Sequence, residues 1–273
     1  MALAPVAEHR AVSRDGTPIA YFQSGSGPSL LLVHGTAADH ARWAPILPQL
    51  ESHFTVYAVD RRGRGRSGDA KTYAVETEFE DLAQVIDQIG GEVFLLGHSY
   101  GAVCALEAAL RTTRIAKLVL YEPLEPVGAR FYPPELIAEL ERLLVQGDRE
   151  AIVETFFREV VRMPENELTT LKSLPNWPAR VAAAHTIPRE MQLDRTYHFE
   201  PPRFATIRVP TLLLLGGNSP AFVKKATEAV HEALENSELG VMQGQQHTAM
   251  NTAPAMFNEQ VIGFLLRRSD RGA

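Results

Sequence analysis

Strand-like and helix-like segments alternate along almost the whole chain, and this alternation limits the possible folds more than any other feature. The strand patterns are His9–Ser13, Ile19–Gln23, Ser29–Val33, Thr55–Val59, Val93–Leu96, Lys117–Tyr121, Thr211–Leu215 and Glu238–Val241. Helical patterns occupy most of the intervals: Trp43–Leu50, Glu78–Ile89, Tyr100–Arg111, Ala221–Leu234 and Ala253–Arg267. This order predicts an α/β fold with a mostly parallel eight-stranded sheet flanked by helices.

One long insertion, about 123–210, interrupts the alternation. It contains amphipathic helical patterns, with Leu136, Leu140 and Leu143 on one stripe, and prolines break its second half into short pieces. This pattern resembles a helical lid more than a separate domain. We therefore expect residues 1–273 to form a single domain that carries the lid.

Composition narrows the class of protein. The chain has 22% charged and 45% hydrophobic residues and a net charge of -6, which argues against nucleic-acid binding as the main activity. Cys104 is the only cysteine, which excludes an intramolecular disulfide and a cysteine-rich zinc site.

No apolar run is long enough to span a membrane, and residues 1–10 lack the features of a signal peptide. We expect a soluble, cytoplasmic protein without a membrane or nucleic-acid partner; the oligomeric state stays open.

The segment Gly97-His98-Ser99-Tyr100-Gly101 lies between a predicted buried strand and a predicted helix. A serine hydroxyl is a poor nucleophile unless a base activates it and its backbone exposes it, and a tight strand-to-helix corner provides that exposure. By itself a G-x-S-x-G pattern also fits a plain turn with a serine helix cap. In this strand and helix context it predicts that Ser99 is a catalytic nucleophile.

His34-Gly35 directly follows another predicted strand. In this topology the backbone N–H of Thr36 can point to the same place as the N–H of Tyr100, and together they would form an oxyanion hole. For the His34 imidazole itself we prefer a structural role. The activating base is expected after the last strand, where His247 lies in a loop before the final helix, and none of the other eight histidines has that position.

Taken together, these motifs resemble the α/β-hydrolase superfamily, in its branch of lidded esterases, haloperoxidase-like enzymes and C–C hydrolases. The resemblance rests on His34-Gly35, the segment 60–67 (DRRGRGRS), the turn around Ser99, and His247, and it covers nearly the whole chain. It implies a serine hydrolase that needs no metal or organic cofactor. Dehalogenases and epoxide hydrolases of this fold carry a carboxylate at the nucleophile position, so Ser99 argues against both.

The segment 63–68 (GRGRSG) also fits the G-x-G-x-x-G pattern of dinucleotide-binding proteins. A dinucleotide turn opens a helix, whereas this segment continues as loop and does not belong to the first βαβ unit. We therefore reject nicotinamide binding.

The third member of a Ser-His-acid triad is the point at which the chain departs from the family. Most relatives place an aspartate after the strand that corresponds to Thr211–Leu215, but residues 216–220 (GGNSP) contain no carboxylate. Some relatives place the acid after the preceding strand, where this chain has Glu122. We predict that Glu122 is the third member, with Glu125 as a competitor and Asn218 as the rival acceptor. An amide can orient a histidine but cannot neutralise it.

The expected reaction is hydrolysis of a small or medium hydrophobic carboxylic ester, thioester or lactone through an acyl-enzyme on Ser99. Alternatives with the same Ser-His pair are C–C bond hydrolysis and acyl transfer to an alcohol or a peroxide. An alternative of another class is a receptor that binds a small molecule without turnover, supported only by the missing aspartate. Four apolar residues of the insertion are candidates for the substrate pocket, although ordinary lid core is an equal interpretation: Phe156, Met163, Trp177 and Met191.

Overall fold

The computed structural model describes residues 6–123 and 132–268, apart from the side chains of Asp194 and Thr196. One eight-stranded sheet has the order β1-β2-β4-β3-β5-β6-β7-β8. The strands β1 and β2 run antiparallel to their neighbours and the other pairs are parallel. Their bounds are β1 Ala7–Val12, β2 Pro18–Gly25, β3 Ser29–Val33, β4 Thr55–Val59, β5 Val93–His98, β6 Ile115–Tyr121, β7 Thr211–Gly216 and β8 Ser237–Met242. The mostly parallel eight-stranded sheet predicted from the sequence is confirmed.

Helices follow most strands, as the alternation predicted. In chain order they are α1 Leu47–Glu51, α2 Val75–Ile89, α3 Tyr100–Ala108, α4 Pro134–Gln146, α5 Arg149–Thr155, α6 Glu165–Lys172, α7 Trp177–Ala182, α8 Thr186–Glu190, α9 Leu193–Thr196, α10 Pro201–Phe204, α11 Ala221–Ala233, α12 Ala249–Thr252 and α13 Pro254–Leu266. A π-helix, Phe156–Val160, continues α5. The insertion between β6 and β7 is thus helical in its described part.

The prediction of one helix over Trp43–Leu50 is wrong. A 3-10 helix spans His40–Trp43, and α1 begins only at Leu47. Pro45 lies between the two segments, and a proline has no N–H with which to continue the helical hydrogen bonds.

The sheet separates two apolar layers because successive strand residues point to opposite faces. In β3, Leu31 and Val33 pack with α2 and α3, whereas Leu30 and Leu32 pack on the other face with α13. All nine residues of α3 are buried. Full burial of the Val103 and Leu106 side chains contributes about 1.5–3 kcal/mol each, so the helix that follows Ser99 is firmly anchored.

A third apolar cluster lies within the insertion and includes Ala37, a residue of the loop after β3. The insertion therefore packs against the carboxyl edge of the sheet, where the candidate functional residues lie.

Candidate active site

Ser99 lies at the corner between β5 and α3 with φ 56 and ψ -124, a backbone conformation that L-residues rarely adopt. The two flanking glycines make the corner possible. A Cβ at Gly101 would lie 2.4 Å from the carbonyl oxygens of Val33 and His34, and one at Gly97 would lie 2.5 Å from the Gly101 oxygen. The local sequence thus builds the tight corner expected of a nucleophile, and the serine itself is 6% exposed.

Glu122 directly follows β6 and is completely buried. Its Oε2 lies 2.5 Å from Nδ1 of His247. Its Oε1 accepts hydrogen bonds from the amide of Gly216 at 2.7 Å and from the hydroxyl of Ser219 at 2.5 Å. Because a carboxylate accepts, Nδ1 of His247 carries the proton, and Nε2 keeps the lone pair that a general base needs.

His98, the residue before Ser99, ties the His247 loop to the strand-to-helix corner. Its Nε2 donates to the carbonyl of His247 at 2.8 Å, and the two rings lie 4.6 Å apart. Burial lowers the pKa of His98 well below its ordinary value. His98 is therefore a neutral structural donor. Tyr121 supports the same loop through hydrogen bonds with Gln246 and the amide of Ala249.

Asn218, the rival acceptor, is placed differently. Its side chain is exposed, and its backbone amide donates to the carbonyl of Gln245 at 2.9 Å. The structure thus brings Glu122, and not Asn218, to Nδ1 of His247. Glu125 lies outside the described residues.

The two candidate oxyanion amides lie on segments that meet at Ser99. Thr36 follows Gly35, whose backbone approaches so closely that a Cβ there would lie 3.0 Å from the Ser99 Cβ. Tyr100 is the first residue of α3, where backbone N–H groups are free of helical partners and the helix dipole favours negative charge.

Two buried side chains contact the backbone that leads to Thr36: His34, for which a structural role was expected from the sequence, and Arg61, which was not singled out there. His34 is buried; its Nδ1 donates to the Gly35 carbonyl at 2.8 Å, and its Nε2 accepts from the amide of Arg61 at 3.2 Å. Burial lowers the pKa of His34 well below its ordinary value, which agrees with a structural role. The Arg61 guanidinium binds the carbonyls of both His34 and Gly35. The sequence signal for Arg61 was the arginine-rich segment 60–67, which served only as evidence for the family resemblance.

The glycine pattern 63–68 folds around a carboxylate of the protein itself. Gly65 has φ 52, and a Cβ there would lie 2.0 Å from Oδ2 of Asp60, which also accepts the amide of Arg66 at 2.8 Å. No helix begins until Val75. A loop closed on a carboxylate is unsuited to holding a phosphate group.

The four apolar candidates of the insertion lie together. Phe156, Trp177 and Met191 are buried in the cluster that includes Ala37, and the half-buried Met163 packs against it. They form the interior of the insertion, so a part in substrate binding stays a prediction.

Backbone strain is concentrated at this site. Within 6–123 and 132–268 four residues other than glycine have positive φ: Ala37, Ser99, Glu122 and Arg162. Ala37 lies directly after Thr36, Ser99 lies at the corner between β5 and α3, and Glu122 is the buried carboxylate. Such strain costs of order 1–3 kcal/mol each and is typical of active sites.

Two absences hold for the described ranges. Among those residues, no group of three or more histidine, cysteine, aspartate or glutamate side chains is arranged to hold a metal ion. No helix in the same ranges has the length and apolar character needed to cross a membrane.

Comparison with known proteins agrees with this geometry. Residues 30–260 match the sequence profile described as the Alpha/beta hydrolase family. An alpha/beta hydrolase from Sphaerobacter thermophilus DSM 20745 is 37% identical, and its crystal structure superposes with a TM-score of 0.82 over 94% of this chain and 100% of that chain. The uncharacterized hydrolase YraK of Bacillus subtilis (strain 168) is 26% identical over 231 residues, which cover 81% of this chain and 83% of that protein. The esterase EaEST from Exiguobacterium antarcticum shares the fold at 21% identity, with a TM-score of 0.77 over 96% of this chain and 100% of that chain.

Proposed function

Because the chain belongs to the alpha/beta hydrolase family and is a hydrolase, we propose that it cleaves a small or medium hydrophobic carboxylic ester, thioester or lactone through an acyl-enzyme on Ser99. The observation that carries this proposal is the buried Glu122 carboxylate on Nδ1 of His247. It supplies the acid that is missing from residues 216–220 and leaves Nε2 as the base.

In the first step, Ser99 Oγ attacks the substrate carbonyl while His247 Nε2 takes the hydroxyl proton. The carbonyl oxygen becomes an oxyanion, which the amides of Thr36 and Tyr100 stabilise. His247 then gives its proton to the leaving alkoxide or thiolate, and the acyl group remains on Ser99.

In the second step, water attacks the acyl-enzyme and gives its proton to His247. The carboxylic acid leaves, and the proton returns to Ser99. Throughout both steps the Glu122 carboxylate stabilises the imidazolium. No step requires a metal or an organic cofactor.

The receptor alternative loses its support, because it depended on the absence of a carboxylate partner for His247. C–C hydrolysis and acyl transfer use the same Ser-His pair, and no contact in the described residues favours either over ester hydrolysis.

The test combines a fluorophosphonate probe with p-nitrophenyl esters from acetate to octanoate. We expect the probe to label the wild type and the matched control Ser52→Ala, whose serine is exposed and remote from the site in sequence. Ser99→Ala should remain unlabelled and should hydrolyse every ester at the background rate. If the wild type is neither labelled nor active on any ester, the proposal fails.

A further inference from the structure

The Arg61 guanidinium contacts the backbone that leads into the candidate oxyanion hole. Its Nε donates to the His34 carbonyl at 2.9 Å and its Nη2 to the Gly35 carbonyl at 3.1 Å. The Gly35 carbonyl and the Thr36 N–H belong to one peptide group. A peptide group is planar, so a donor that fixes the carbonyl also fixes the direction of the N–H on the opposite side.

Arg61 is itself held rigidly. Its Nη1 donates to Glu78 on α2 at 2.7 Å, and its Nη2 donates to Glu190 on α8 of the insertion, also at 2.7 Å. Although burial acts to lower it, the charges of Glu190 and Glu78 raise the pKa of Arg61 well above its ordinary value. Arg64 also donates to Glu190, so the buried cluster contains two positive and two negative side chains. The guanidinium is therefore a permanent cation in a fixed orientation.

The same guanidinium also reaches the second oxyanion segment. Its central carbon lies 4.8 Å from the ring centroid of Tyr100, whose backbone N–H is the other candidate donor. The Tyr100 hydroxyl is hydrogen-bonded at 2.7 Å to that of Tyr73, which donates to Glu78 at 2.8 Å. One buried arginine thus contacts both segments that would stabilise the oxyanion.

We propose that Arg61 is a positioning residue for the oxyanion hole. This inference rests on the proposed function. Arg61 touches no reacting atom; it acts through the peptide group between Gly35 and Thr36. A cationic donor on the carbonyl orients this group, and it also polarises the N–H toward a developing negative charge. His34 Nδ1 donates to the same carbonyl and assists the orientation, but it is neutral.

The competing explanation is that Arg61 only joins the insertion to the sheet through ion pairs. Arg64 is the matched control, because it is equally buried and also binds Glu190 but donates to the carbonyl of Arg62 instead of the His34–Gly35 segment. Lysine keeps the charge but loses the planar fork of donors. The comparison is therefore between Arg61→Lys and Arg64→Lys.

The readouts are kcat and KM on p-nitrophenyl butyrate and the affinity for an aryl trifluoromethyl ketone. Ser99 adds to the ketone carbon and its proton passes to His247, which leaves an oxyanion in the hole. We expect Arg61→Lys to lower kcat about 10- to 100-fold, below the roughly 10²–10³ lost on removal of a whole oxyanion donor. Its KM should stay within about twofold, and ketone affinity should fall by the same factor as kcat. Arg64→Lys should change kcat and ketone affinity by less than about threefold, although both variants lower the Tm.

Equal losses of kcat and ketone affinity in the two lysine variants, or unchanged ketone affinity in Arg61→Lys, would overturn the proposal.

Glu190→Gln gives an independent check, since it weakens the link to the insertion but leaves both carbonyl contacts of Arg61. A kcat within about threefold of wild type is expected; a loss as large as that of Arg61→Lys would assign the effect to the ion cluster instead. A wild type without fluorophosphonate labelling and ester activity would refute the proposed function, and this inference with it. An active wild type with equal lysine variants refutes this inference alone.

Discussion

Substitution of Glu122 by glutamine changes only the charge and one acceptor at a completely buried position of the site. If the oxygen of the introduced side-chain amide keeps the donors from Gly216 and Ser219, the NH2 group of that amide faces Nδ1 of His247. Nδ1 must then accept, so the proton moves to Nε2, and the base that should activate Ser99 is lost.

The opposite amide orientation restores the correct tautomer but sets the NH2 group against the Gly216 N–H. Two buried donors that face each other leave one unsatisfied, which costs about 1–3 kcal/mol and makes this state the minor one. Even there the imidazolium has no negative partner. In serine proteases the equivalent Asp→Asn change lowers kcat about 10⁴-fold, and we expect a loss of about 10³- to 10⁴-fold here.

The assay is steady-state hydrolysis of p-nitrophenyl butyrate by Glu122→Gln, with Asn218→Ala and Ser99→Ala measured in parallel. The rate of fluorophosphonate labelling should fall with kcat, since both depend on activation of Ser99. Asn218→Ala should retain activity within about threefold, because its side chain is exposed. The reasoning is refuted if Glu122→Gln stays within tenfold of wild type, or if Asn218→Ala loses as much activity.

Three further predictions concern stability and the insertion. Burial lowers the pKa of His34 and His98 in the folded state. Below about pH 6.5, the ordinary pKa of histidine, the unfolded chain therefore binds more protons than the folded protein. The free energy of unfolding should therefore fall on acidification below that pH, by up to about 1.4 kcal/mol per pH unit for each histidine. Denaturant unfolding at pH 7.0, 6.0 and 5.5 should show that this free energy depends less steeply on pH in His98→Asn than in the wild type. An equal pH dependence in the two proteins would contradict the prediction. Gly101→Ala should lower the free energy of unfolding by about 3 kcal/mol or more and abolish the ester activity. Gly263 lies on a helix and a Cβ there meets nothing within 4 Å, so Gly263→Ala should raise the free energy of unfolding by about 0.5–1 kcal/mol. Similar denaturation midpoints for the two variants would refute the steric argument. Trp177→Ala should lower the Tm in keeping with a loss of about 3–5 kcal/mol if the residue is core, while an unchanged Tm with an altered ester chain-length preference would assign it to the substrate pocket instead.

The sheet could be predicted because its strands carry local signals. The predicted bounds of Ser29–Val33 and Thr55–Val59 agree with the structure, as both runs are short, apolar and bounded by turn residues. The helix near Trp43 was predicted wrongly, because the prediction followed the apolar spacing although the segment contains Pro45 and Pro48. The π-helix after α5 was not predicted, since its spacing differs only slightly from that of an α-helix.

At the candidate site, chain order led to Glu122 and His247, which the structure joins, and to Ser99, whose neighbour His98 contacts the His247 loop, because the carboxyl ends of parallel strands share one edge of the sheet. The Arg61 cluster could not be found in this way. Its partner Glu190 lies 129 positions along the chain in the insertion, and neither periodicity nor motif spacing relates the two. Only the folded structure shows that these charges neutralise one another.

The carboxylate at position 122 is held by the Gly216 amide at the end of β7 and by the Ser219 hydroxyl in the loop that follows, and this arrangement constrains mutational routes. A carboxylate introduced at 218 while Glu122 is present would lie on an exposed side chain, and Glu122 would keep both donors and its contact with His247. Loss of Glu122 first would leave the buried amide without an acceptor. The effect of a carboxylate at 218 therefore depends on which residue stands at 122, and the acid can move to the segment after β7 only when both segments are exchanged together.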